Sequence, residues 1–141
     1  MPSVAVRIAT LLVLLAASSA AIPGPAEDRA THFLRNAHTG VSMDSSEWLT
    51  ERMRGRNMFT GFGGLRALIE SSTRLAIEYG GLKEVKLLHS ERTKSKTDVV
   101  TLEVVFFRDP RNDPKAPLAL KEPQIWNIKV RREAGALKLE F

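Results

Sequence analysis

Apolar positions along the chain follow two periods, and the change between them falls near Gly80. From Leu65 onward, Leu68, Ile69, Ser72, Leu75, Ala76 and Tyr79 recur at the i, i+3, i+4, i+7 spacing of one buried helical face. Arg66, Glu70, Arg74 and Glu78 lie four apart on the opposite side and alternate in sign, which supports the same helix. Gly80 and Gly81 stop it, since glycine adopts the left-handed conformation of helix ends at little cost. Two weaker helices come before it. One is predicted over Ala26–His38, with Glu27 and Asp28 in its first turn and Gly40 at its stop. The other runs from about Asp44 to Gly55, where Asp44 and Glu47 have the spacing of a capping box and Trp48, Leu49 and Arg52 follow at helical intervals.

Beyond Gly81 the period becomes two. Val85, Leu87 and His89 are expected on one side of a first strand. Val100, Leu102, Val104 and Phe106 make one wholly apolar face of a second, with Val99, Thr101, Glu103, Val105 and Phe107 on the other. Trp126, Ile128 and Val130 alternate with Asn127, Lys129 and Arg131 in a third. Leu137, Leu139 and Phe141 point inward in a fourth, with Lys138 and Glu140 outward. Strands with one greasy and one mixed face belong to an antiparallel sheet packed on one side. "KSKTD" and "EAGA" have hairpin length, whereas "RDPRNDPKAPLALKEP" is a longer, proline-rich loop in which Leu118 and Leu120 offer apolar contact to a partner. The expected fold is α+β: three N-terminal helices packed on a curved, mostly antiparallel four-stranded sheet.

Composition adds a compartment. Arg7 precedes an uncharged apolar run, Ile8–Ala17, and small residues through Ala21 then offer a peptidase its cut before Pro23 and Pro25. The run is shorter than the roughly 20 residues that span a bilayer. A cleavable signal peptide over residues 1–21 is therefore expected, leaving residues 22–141 as a single domain in the periplasm or outside the cell. With no cysteine in the chain, a lipoprotein anchor is excluded and the core must hold without disulfides. The formal charge of +5 suits acidic partners or anionic headgroups, and export argues against nucleic acid.

The order of elements, carried by "GGLKEVKLLHSERTKSKTDVVTLEVVFF" and then "IWNIKVRREAGALKLEF", resembles the nuclear transport factor 2-like superfamily. It is most similar to the small exported bacterial branch called lumazine-binding-like, whose function is not known. Where that branch carries a tryptophan in the last strand this chain has Leu137, and Trp126 on the preceding strand is placed to fill the same core. The resemblance implies a cystatin-like cone whose helices close a pocket, and members that pair through the open face of the sheet. A pocket lined by Trp48, Leu68, Tyr79, Leu102, Phe106, Trp126 and Ile128 would take an apolar or aromatic small molecule.

Chemistry is harder to find. An isomerase of the ketosteroid type needs an interior carboxylate and an oxyanion hole. The one tyrosine is Tyr79, and Glu103 points away from the core if the alternation holds. His32, His38 and His89 lack metal-ligand spacing and read as surface or half-buried residues, so neither a metal nor a cofactor is expected. "RGRNMFTGFGG" follows a helix rather than a strand and is not a dinucleotide fingerprint. It reads as a connector with Arg54 and Arg56 solvated, and Phe59 and Phe62 are its candidate pocket gate. The function expected is a non-catalytic binding or protein-interaction module of the cell envelope. The alternatives are a small isomerase or hydratase and a structural homodimer.

Overall fold

The computed structural model describes residues 24–56 and 63–141. The expected leader and the gate residues Phe59 and Phe62 lie outside them. Helix α1 spans Pro25–Thr39, two single-turn helices follow at Ser45–Trp48 (α2) and Glu51–Arg54 (α3), and α4 spans Gly64–Glu78. Strands β1 (Leu82–Arg92), β2 (Asp98–Phe106), β3 (Gln124–Glu133) and β4 (Ala136–Glu140) then form an antiparallel meander in the order β1-β2-β3-β4. Both long helices end as their glycines predict: Gly40 has φ 75°, and Gly80 and Gly81 have φ 83° and 103°.

The stripe of α1 is the organising element. Ala26, Ala30, Phe33, Leu34, Ala37 and His38 are buried, and α1 packs on all four strands while α4 packs on its other side. Ala30, Phe33, Leu34 and Ala37 have no exposed surface at all. The expected apolar face of α4 is inward, with Leu65, Ile69, Ser72 and Ala76 buried, but it meets α1 more than the strands. Only its end reaches the sheet clearly, where the Tyr79 ring stacks on Phe106 with centroids 6.1 Å apart.

The expected second helix is broken. Leu49 (φ −107°, ψ 148°) and Thr50 (φ −64°, ψ 155°) are extended, and they split it into two turns. The cause is a tertiary bond that outweighs local helix spacing: the Thr50 amide donates to the Leu139 carbonyl at 3.0 Å, and Leu49 bridges Leu139 in parallel. Thr50 Oγ1 then accepts from the Met53 amide and so caps α3. The capping box of α2 is also incomplete, because Asp44 accepts from the amide of Ser46 and not from that of Glu47.

Strand alternation holds in β2, where Val100, Leu102, Val104 and Phe106 are all buried. In β1 it holds only as far as Leu87. A bulge between Leu87 and His89 places His89 opposite Thr101, on the outer face, and Ser90 opposite Val100, on the inner one. The expectation of His89 beside Val85 is corrected by that extra residue. Glu140 keeps its outward register opposite Lys129 yet is only 4% exposed. The α2–α3 segment wraps this edge, with Lys138 Nζ donating to the Ser46 carbonyl and the Glu51 amide donating to Glu133 Oε1.

Because α1 touches every strand, truncating its central side chain should loosen the whole domain. Phe33→Ala should lower unfolding free energy by about 3–5 kcal/mol. Ile77→Ala, at a position 71% exposed on α4, should change it by no more than about 0.5 kcal/mol. Urea denaturation of the two variants checks the contrast.

Candidate functional site

The seven residues expected around a pocket do come together. Trp48, Tyr79, Leu102, Phe106 and Ile128 belong to the buried core, with Leu68 and Trp126 packed against it at partial exposure. Their rings run in a continuous chain through the domain. Trp48 tilts against Phe33 (6.1 Å), Phe33 against Phe141 (5.4 Å), and Phe141 meets Trp126 edge-on (5.8 Å). Trp126 in turn meets His38 (6.2 Å), which lies 6.1 Å from Phe106, and Tyr79 closes the row. Each ring therefore packs on its neighbours, with Phe33 and Phe141 between Trp48 and Trp126. Phe106 borders a cavity of about 60 Å3 under the long loop. Among the described residues, three larger cavities are lined by other side chains than these seven.

Cations close both ends of the row. The Arg29 guanidinium lies 3.5 Å from the centroid of Trp48, and His32 meets the same ring edge-on at 5.4 Å. At the other end Arg108 stands 5.8 Å over Tyr79. Burial, assisted by Glu78 and Asp113, raises the Tyr79 phenol above its ordinary range and keeps it neutral.

His38 was expected at the surface or half-buried and is instead 4% exposed. Its position on α1 explains why: it follows Phe33, Leu34 and Ala37 on the same stripe. Nδ1 lies 2.8 Å from the Leu34 carbonyl and donates to it. Burial pushes its pKa below the ordinary value, against the opposing pull of that hydrogen bond. Helical spacing from Phe33 and Leu34 was the available signal, but a histidine reads as polar in a hydropathy pattern.

Glu103 sits on the outer face, opposite Lys86 and Ile125, as the alternation of β2 requires. It borders the small cavity under the loop together with Asp109 and Arg111, whose side chains pair at 2.9 Å. In that loop Leu118 is 86% exposed, while Leu120 packs on the core. Arg56 is not merely solvated: its Nη1 donates to the Phe141 carbonyl at 3.3 Å. Among the described residues no three His, Asp or Glu side chains converge in a way that could hold a metal.

This arrangement is similar to that of a Campylobacter jejuni protein described as a candidate NTF2-like transpeptidase. The two superpose with a TM-score of 0.59 at 14% identity, over 83% of this chain and 100% of that one. The fold is nuclear transport factor 2-like. No protein-family model matches the chain, and neither does any curated protein. At such identity the shared fold carries no activity across.

The buried histidine and the first turn of α1 give separable acid responses. Neutral in the fold, His38 takes a proton in the unfolded chain below about pH 6.5, so unfolding gains protons there and stability falls as pH drops. Glu27 has its carboxyl lowered by the Ser90 hydroxyl, and its contribution is present above its ordinary value of 4.5 and lost below it. Urea midpoints from pH 8 to 3 should show a first decline beginning near pH 6.5, no steeper than about 1.4 kcal/mol per pH unit. His38→Leu should flatten that first decline and leave the second.

Proposed function

We propose that the protein is a non-catalytic binding or protein-interaction module of the bacterial cell envelope, delivered there by a leader over residues 1–21. The exported lumazine-binding-like branch is the subfamily we favour, on the order of its elements and the apolar segment before them. The fold hosts binding domains and isomerases alike, so the choice rests on the side chains.

The observation that carries the reading is the placement of Glu103 on the outer face of β2, between Lys86 and Ile125. Proton abstraction from a hydrophobic substrate needs a carboxylate within the interior, poised by burial beside oxyanion donors. The inward positions of β2 from Val100 to Phe106 are apolar, its one inward carboxylate, Asp98, stands at the strand end opposite Arg92, and His38 has one ring nitrogen engaged by the Leu34 carbonyl. Interaction through the surface is supported by the outer face, where Phe107 is 65% and Ile125 43% exposed, and by Leu118 on the loop. A homodimer through that face is one form such an interaction could take.

Native mass spectrometry of the protein isolated from its own periplasm tests the proposal. The expected chain begins at Ala21 or Ile22, and in a separate absorbance assay it does not isomerise a β,γ-unsaturated ketone. Turnover that disappears in Glu103→Gln would establish the isomerase in its place.

A further inference from the structure

The inner face of the sheet is apolar only as far as α1 covers it. Where α1 begins, the inward positions change character. The bulge in β1 turns Ser90 and Arg92 inward, opposite Val100 and Asp98. In β3 the inward series Trp126, Ile128, Val130 continues to Arg132, which pairs with Leu137. A cavity of about 550 Å3 opens between these strand ends, the β1–β2 turn and the first turn of α1, a volume suited to a small molecule.

Its lining is mixed: Leu137 is its accessible apolar residue, with the buried Ala26 and Val130 behind it, and charged side chains stand around them. Arg92, Lys96, Arg131 and Arg132 stand against Glu27 and Asp98. Two of these are already engaged: Glu27 Oε1 accepts from Ser90 Oγ at 2.6 Å, and Arg131 leans to Glu140 at 3.8 Å. Among the described residues, Arg92, Lys96 and Arg132 form no ion pair, and neither does Asp98. Three cations without an ion pair therefore stand against two carboxylates, Asp98 and the hydroxyl-bonded but still charged Glu27, which leaves an excess of positive charge in the cavity. The end of α1 is not the attracting group, because Pro25 has no amide hydrogen and the Glu27 carboxylate folds back beside Gly24.

We propose that this cavity binds an organic anion. A phosphate or carboxylate head is held by Arg92, Arg132 and Lys96, and a short apolar body lies on Leu137. Guanidinium groups meet such heads with paired, charge-assisted hydrogen bonds, and an anion relieves the mutual repulsion of the three cations. The proposal rests on the binding-module reading and gives that module a ligand class. Its failure leaves interaction through the outer face standing, whereas Glu103-dependent turnover would remove the module reading itself.

The test is an amide NMR titration of the isotope-labelled protein, as isolated after export, with n-octyl phosphate below its micelle concentration. Saturable shifts are expected at Ala26, Val130 and Leu137, with weaker ones at the same residues from inorganic phosphate and none from octyltrimethylammonium. Arg92→Gln with Arg132→Gln should weaken octyl phosphate binding at least about tenfold, the loss expected on removing charge-assisted hydrogen bonds. Arg74→Gln, which removes the same charge from the exposed face of α4, should leave it within about twofold. Unfolding midpoints of the variants verify that each is folded. Pelleting with phosphatidylglycerol vesicles that the double variant loses would name a lipid headgroup as the source of the anion, and octyl phosphate binding without pelleting would name a dissolved ligand. Shifts scattered over the surface, equal binding of the cationic amphiphile, or binding indifferent to the double variant would overturn the proposal.

Discussion

Everything in this domain leans on one helix laid across four strands. Helix α1 contacts β1 through β4 on one side and α4 on the other, and four of its side chains are wholly inaccessible. A meander of hairpins has only neighbour-to-neighbour hydrogen bonds, so nothing in its backbone fixes how strongly it bends. The α1 stripe supplies that constraint, because Phe33 and Leu34 can be buried only where the inner faces of several strands converge. Helix α4 then packs on α1 more than on the sheet, which makes it an outer layer whose placement follows from that of α1.

Much of this was legible in the chain. The stripe of α4, the glycine stops at Gly40 and Gly80, and the inward row of β2 are single-period signals that no competing interaction disturbs. The break at Leu49–Thr50 was not legible, because its cause is a hydrogen bond to Leu139, some ninety residues later. The bulge in β1 was hidden for a related reason. Leu87 and Leu88 are adjacent apolar residues, and strict alternation has no means of choosing which of them is the extra one. One inserted residue was enough to exchange His89 for Ser90 on the inner face.

The candidate site divides along the same line. Apolar periodicity brought Trp48, Leu68, Tyr79, Leu102, Phe106, Trp126 and Ile128 to one place, since each sits on an inward row. Whether inward residues enclose space or fill it depends on ring orientation, which periodicity does not encode. His38 is hidden from a hydropathy pattern because a polar side chain reads as exposed, although its spacing from Leu34 is that of the buried stripe. The charged inward end of β3 follows the same alternation past Val130 to Arg132, whereas that of β1 depends on the bulge.

The two edges of the sheet end in different ways. At β4, the Thr50 amide and the bridge from Leu49 have already taken up part of the backbone that another strand would use. Among the described residues no strand pairs with the far side of β1, where Lys83, Glu84, Lys86, Glu91 and Arg92 stand exposed around Leu87 and Leu88. A strand arriving there from another molecule would have to desolvate a dense row of both signs before gaining a single ladder bond. Among the described residues both edges of the sheet are therefore guarded, so one copy of the domain does not template the next into a continuous fibre.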